Sequence, residues 1–319
     1  MSNSIFKVLR PGINTTYQDE GRFNVQHLGV PPSGCMDHQS FLLANALVGN
    51  KKKYGVIEFA YQGPLLKLIK GKTRIAITGN TFFKIINLKN ETINGECNRS
   101  YDLNEGDSID ILATNKSIYG YMSVEGGFKI DSFCNSVSTL VKASIGANNG
   151  NKISIEDKII TNENRKNKNN FKARISSENS NTIRVLKGPQ YDFFSEKSKK
   201  LFFSQLYKVS NLTDRMGMRL EGKVLENIVN TNIRSEGITK GAIQVPADGQ
   251  PIILLTDCPT IGGYPKIANV ITADYDLLIQ KTPGTNISFK CIDLEEAEQL
   301  YKKRNDKISK IIKDIKEIN

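Results

Sequence analysis

Three stretches of the sequence carry residue types that bind and orient small polar molecules. The first runs from Pro11-Gly12 through Asp19-Glu20-Gly21-Arg22 to Gly29-Val30-Pro31-Pro32-Ser33-Gly34-Cys35-Met36-Asp37. The second is Ser210–Leu220, SNLTDRMGMRL, and the third is Ser235–Ala268, SEGITKGAIQVPADGQPIILLTDCPTIGGYPKIA. Each sets glycines and prolines, which fix the backbone, beside Asp, Arg, Gln, Ser, Thr or Tyr. Rigid loops with polar tips are the usual carriers of function. Gly262-Gly263-Tyr264-Pro265 predicts a fixed turn that presents one ring and exposed backbone N–H groups. Asp19 and Asp37 suit turn capping and helix N-capping as well as ligand binding.

Several familiar chemistries are excluded. No G-x-S-x-G nucleophile elbow occurs. The two histidines, His27 and His38, are too few and too badly spaced for a His-based metal site, so no metal is expected. Gly217-Met218-Arg219-Leu220-Glu221-Gly222-Lys223 reproduces the spacing of a phosphate loop, but Val224 stands where a Mg²⁺-binding Ser or Thr belongs. Met218 and Leu220 suit a strand better than a loop cradling phosphates. Any ATP is bound by another device. The five cysteines, Cys35, Cys97, Cys134, Cys258 and Cys291, are scattered and form no CxxC pair, which predicts reduced, buried thiols in a reducing compartment. The formal charge of +11 is spread over an Asn- and Ile-rich chain, with clusters at Lys51–Lys53, Arg165–Lys172 and the C-terminal tail. None is interleaved with stacking aromatics, so no nucleic-acid partner is expected. No apolar run approaches the roughly 18 residues of a membrane span, and no membrane association is expected. Met1–Arg10 lacks the charged flank and apolar core of a secretory signal. The expectation is a soluble, cytoplasmic protein.

The elements that must position these stretches are mostly short strands. Asp37 opens a helix whose apolar residues, Phe41, Ala44, Leu47 and Val48, recur at helical spacing until Gly49-Asn50 stops it. Arg74–Thr78, Phe83–Leu88, Ser108–Ala113 and Ile118–Val124 read as strands, as do Thr182–Leu186, Gly241–Val245, Ile252–Thr256 and Asn286–Cys291. Such spacing suggests a barrel or sandwich rather than a parallel sheet. Phe193–Phe203 and Asp274–Gln280 read as helices. The stretch Asn162–Asn181 is almost wholly polar and reads as a linker or flexible insertion. In the tail, Ile308, Ile311, Ile312 and Ile315 form an apolar stripe, packed on its own domain or on a partner.

At the polar blocks the sequence resembles a known family. PGINTTYQDEGR, GVPPSGCMDHQSFLLANALVGN, EFAYQGP, SNLTDRMGMRLEG, SEGITKGAIQVPADGQPI and TDCPTIGGYPKIA resemble the biotin-dependent carboxyltransferase-like family, also called allophanate hydrolase subunit 2 or the KipA family. The resemblance spans about Lys7 to Phe289. It implies a mainly β, cyclophilin-like fold of two related β-barrel domains with a few helices. The expected boundaries are 1–160 for the first domain, 161–181 for the polar linker or insertion, 182–291 for the second domain and 292–319 for a C-terminal amphipathic helix. Bacterial members include the C subunit of an ATP-dependent 5-oxoprolinase, which implies A and B subunits as partners, the latter KipI-like, and ATP at the level of the complex. Other members are carboxyltransferase parts of urea carboxylases, which would bring biotin, or regulatory binding proteins. The chain has no Ala/Val-Met-Lys-Met biotinylation motif. It departs from the family at Asn135-Ser136-Val137-Ser138-Thr139, at Cys35, and in its long Asn/Lys insertion.

The implied chemistry holds a small amide and stabilises an oxyanion or phosphoryl group. Asp257, Gln244, Tyr264 and Arg215 are the expected catalytic residues. Gln244 offers both an amide donor and an acceptor, Asp257 a base or an N–H acceptor, and Tyr264 with the Gly262 and Gly263 amides an oxyanion cradle. Asp214 and Arg215 would face opposite ways on a strand. Asp214, Gly262, Gly263, Asp19, Arg22, Ser33 and Asp37 are the expected substrate-binding residues.

Overall fold

Runs rich in Ile, Val, Phe and Tyr pair antiparallel through the first half of the chain, some with one face buried, as Ile5–Arg10, and some with both, as Val56–Ala60 and Tyr119–Val124. The computed structural model describes residues 3–163, 169–175, 179–229 and 231–318. It divides into two units, one of Met1–Arg22, Ser33–Ser176 and Ile308–Asn319, the other of Phe23–Pro32 and Ser177–Lys307. Among the described residues no helix is long and apolar enough to cross a membrane.

In the first unit, two sheets enclose one core. A six-stranded sheet contributes Phe6, Val8, Leu66, Leu68, Phe83, Ile109 and Ile111. A seven-stranded sheet contributes Tyr17, Ile57, Phe59, Ile75, Ile77, Met122 and Val124. The helix His38–Leu47 lies where its sequence placed it, with the Asp37 side chain accepting from the Ser40 N–H as N-cap. The polar segment is not wholly a linker. Asn170–Lys172 forms a strand between Arg99–Leu103 and the C-terminal strand Lys316–Ile318. Phe171 and Ile175 pack with Leu43, Leu47, Ile311 and Ile315. Within the expected insertion, residues 164–168 and 176–178 lie outside the described residues. The tail helix is Leu294–Lys313, and its Ile311 joins this same cluster, so the stripe packs on its own chain.

In the second unit, seven strands close a barrel: Thr182–Lys187, Lys266–Val270, Ala242–Gln244, Ile252–Leu254, Gly217–Glu221, Tyr207–Val209 and Asn286–Cys291, in that spatial order. The helix expected at Phe193–Phe203 begins late, at Glu196, because Ser195 caps it by accepting from the Ser198 N–H. The stretch with phosphate-loop spacing is strand Gly217–Glu221, with Met218 and Leu220 buried.

Candidate functional site

The barrel carries two polar stations. The first follows the strand Ile252–Leu254, whose apolar run gives way to Thr256 and Asp257 in a turn. Asp257 is buried, and Arg215 grips it as a fork: Nε donates to Oδ2 at 2.7 Å and Nη2 to Oδ1 at 3.1 Å. The backbones meet as well, the Asp257 N–H donating to the Arg215 carbonyl at 2.9 Å. Asp214 and Arg215 are not on a strand, as the sequence suggested. They sit in the turn before Gly217–Glu221, where the Asp214 carboxylate accepts from the N–H groups of Met216 and Gly217. Both oxygens of Asp257 are thus engaged, which is an arrangement for holding a loop and differs from the open carboxylate of a general base. Next to it, burial, with a smaller contribution from the Asp257 charge, pushes the Cys258 thiol up to about 11. Thr256 and Tyr275 share a buried hydrogen bond of 3.0 Å.

The second station lies at the other end of the same hairpin. Gln244 pairs with Ile252 on one side and with Lys266 on the other. Gly262 lies against it, since a Cβ at Gly262 would fall 2.7 Å from Gln244 Nε2. Gly262 pairs with Glu236 in a short two-stranded ladder. Glu236 accepts from Lys266 Nζ and, at 2.7 Å, from Gln190 Nε2. Lys266, chiefly through that hydrogen bond, holds the Glu236 carboxyl below the usual carboxylate range. Gln244, Lys266 and Gln190 are buried, while the Glu236 side chain is 42% exposed. Gly263 anchors the loop by accepting from the Ile233 N–H, and Pro265 accepts from Val245. Between them Tyr264 stands 40% exposed. The structure therefore gathers Gln244 and Gly262, and it places Arg215 and Asp257 in a separate pair. Sequence reasoning missed Lys266, Glu236 and Gln190. The signal was a lysine opening the apolar strand KIANV.

Of the predicted residues of the first unit, Asp19, Arg22 and Asp37 are held in hydrogen bonds of that unit. Asp19 is buried and accepts four hydrogen bonds, from Gly21 N, Val137 N and the hydroxyls of Ser136 and Ser138, at 2.6–2.8 Å. Arg22 donates to the Ser138 carbonyl and lies 5.9 Å from the Phe133 ring centre. Asp37 caps its helix, and its N–H donates to the Tyr121 hydroxyl at 2.7 Å. Tyr121 in turn donates to Glu58, a buried carboxylate that also accepts from Met36 N. Burial, reinforced by Glu58, raises the Tyr121 phenol well above its ordinary value. Ser33 is buried with a φ of 54°. This network fixes the loops it belongs to, and Glu58 and Tyr121 were not foreseen as parts of it.

Among the described residues no group of three or more His, Cys, Asp or Glu is placed to hold a metal ion.

Comparison with known proteins adds a second line of observation. Residues 28–291 match the family described as carboxyltransferase domain, subdomain A and B. The chain is 32% identical to the 5-oxoprolinase C subunit of Haemophilus influenzae over 303 residues, 93% of this chain and 95% of that protein. It is 29% identical to the 5-oxoprolinase C subunit of Escherichia coli, over 92% of this chain and 93% of the relative. The crystal structure of the K. lactis urea amidolyase superposes with a TM-score of 0.87 at 28% identity. That match covers 96% of this chain but spans only 20% of the amidolyase.

Proposed function

Because the chain belongs to the carboxyltransferase domain family, subdomain A and B, we propose that it is the C subunit of an ATP-dependent 5-oxoprolinase that opens the lactam of 5-oxo-L-proline to L-glutamate. The observation that carries this reading is the end-to-end match with the H. influenzae 5-oxoprolinase C subunit, 93% of this chain against 95% of the relative. In this reading the chain works with the A and B subunits, in the cytoplasm, and ATP acts at the level of the complex. The chain's own glycine-spaced block is a barrel strand with two inward apolar side chains, which does not fit a phosphate. The chain's share of the work is to bind and orient the substrate. Gln244 holds the amide against the Gly262-Gly263 turn, Tyr264 borders it from the exposed side, and the Arg215–Asp257 pair keeps the neighbouring loop in place.

A second reading has support in the amidolyase superposition. The chain would then be the carboxyltransferase component of a urea carboxylase-type system, receiving a carboxyl group from biotin on a separate carrier.

Reconstitution separates these outcomes. The purified chain should show no ATP-dependent turnover of 5-oxoproline, and adding the A and B subunits should restore it. Copurification with the B subunit should give one peak on size exclusion. Robust turnover by the lone chain, or an inert complete complex that instead carboxylates urea from a biotinylated carrier, would overturn the first reading.

A further inference from the structure

The strand Lys266–Val270 does not run in even register with its neighbour. Ala242 faces Asn269 and Ile243 faces Ala268, but Gln244 faces Lys266, so Ile267 is an extra residue. Such β-bulges re-aim side chains and concentrate beside active sites. This one is built in from behind. The Gly188 N–H donates to the Ile267 carbonyl at 2.9 Å, and a Cβ on Gly188 would fall 2.2 Å from the Lys266 carbonyl, so only glycine fits. Gln190 then clamps Lys266 twice, donating its N–H to the Lys266 carbonyl and accepting from the Lys266 N–H.

The bulge sets the Gln244 and Lys266 side chains on one face, at opposed ladder positions where Cβ atoms lie about 5 Å apart. The two side chains differ in how they are satisfied. Lys266 Nζ donates to Glu236, which leaves further N–H groups on the ammonium. Gln244 Nε2 is buried and has no hydrogen-bond partner among the described residues. Leaving a buried amide unsatisfied is costly, and native structures rarely do so without a ligand or water to meet it.

We propose that Gln244 and Lys266, aimed together by the bulge, receive the carbonyl oxygen of a small amide ligand, whose N–H is taken by the free side of Glu236. This rests on the reading that the chain handles a lactam or ureido substrate, and it goes further in naming the groups that do so. Lys266 and Glu236 cancel in formal charge, so the cluster suits a neutral planar group that both donates and accepts. Gln190 is a positioning residue: it holds Glu236 and the Lys266 backbone and does not touch the ligand. The absence of a side chain at Gly262 is what admits the Gln244 amide to this position.

The test uses the full purified chain and isothermal titration with 5-oxoproline, 2-pyrrolidone and urea, with L-proline as the ring control lacking the amide. The lactams should bind and L-proline should not. Gln244→Leu should abolish binding. Gly262→Ala, whose Cβ would crowd Nε2, should weaken it at least tenfold with the melting temperature within about 2 °C of wild type. Lactam binding that survives both substitutions, or L-proline binding as well as 5-oxoproline, would overturn the proposal, as would a wild-type chain that binds none of the amides. The same variants in the complex with the A and B subunits distinguish the two levels. Full 5-oxoprolinase activity with Gln244→Leu sinks this site while the functional reading stands. Amide binding through Gln244 in a complex inert towards 5-oxoproline sinks the functional reading while the site stands.

Discussion

Replacing Asp257 by Ala should damage stability before it damages chemistry. Asp257 is 7% exposed and the Arg215 side chain 14%, and the two meet through contacts of 2.7 and 3.1 Å. Removing one member of a buried pair leaves the other charge uncompensated, which costs about 3–5 kcal/mol. At roughly 2–4 °C per kcal/mol for a unit of 150–250 residues, the loss is about 6–20 °C in melting temperature. The partner change Arg215→Met should cost a similar amount, since it strands the carboxylate. The double variant Arg215→Met/Asp257→Ala leaves neither charge alone and should recover a large part of either loss. A double-mutant cycle by urea denaturation then gives a coupling well above the 0.5 kcal/mol or so expected of independent sites. The reasoning is refuted if the single variants lose less than about 1 kcal/mol and add without coupling while the reconstituted complex slows about a hundredfold or more. That pattern would mean that the carboxylate is released for catalysis, as an interaction made in the transition state would require.

Tyr121→Phe keeps the ring but removes the donor to Glu58 and the acceptor for the Asp37 N–H, and should cost about 1–3 kcal/mol in chemical denaturation; an unchanged midpoint would show that the hydroxyl is dispensable. Cys97 and Cys258, both pushed by burial to about 11, should be present as thiolate at about one part in a thousand at pH 8, whereas Cys134 is exposed. Iodoacetamide followed by peptide mass spectrometry should therefore find Cys134 labelled first, and early labelling of Cys258 would contradict its burial. Glu236 is held below the ordinary carboxylate range by Lys266, so its contribution is present above that range and is lost as pH falls through the lowered value. Glu236→Gln should flatten that part of the acid-unfolding curve, and an unaltered acid limb would show that the pair contributes nothing.

What the sequence made legible was local. Asp37 announces its helix because the cap and the apolar spacing lie within one stretch, and the helix starts at the next residue. Asn286–Cys291 is a strand at the bounds its β-rich run predicts. Pairings between distant residues left no such trace. Arg215 and Asp257 are 42 positions apart and Lys266 and Glu236 are 30 apart, so nothing in either neighbourhood says which charge meets which. Asn170–Lys172 looked like linker because Phe171 stands alone in an almost wholly polar stretch. It becomes a strand only because Lys316–Ile318 returns from the far end of the chain to supply its hydrogen bonds.

The bulge at Ile267 shows how such hidden information builds a site. Composition alone gives Gln244 a plain place in a strand and Lys266 an awkward one at the head of an apolar run. An even ladder would place Gln244 opposite Ile267, which is fully buried and apolar, and Lys266 beyond the end of the pair. One inserted residue exchanges that contact for a lysine, and Gly188 and Gln190, in a loop nearly eighty positions earlier, hold the exchange in place. The cost is a buried amide without a partner. A sequence selected for stability alone would place an apolar side chain at 244, where the ladder asks for nothing polar. The unsatisfied amide is therefore better explained by a group that arrives from outside the chain than by the needs of the fold.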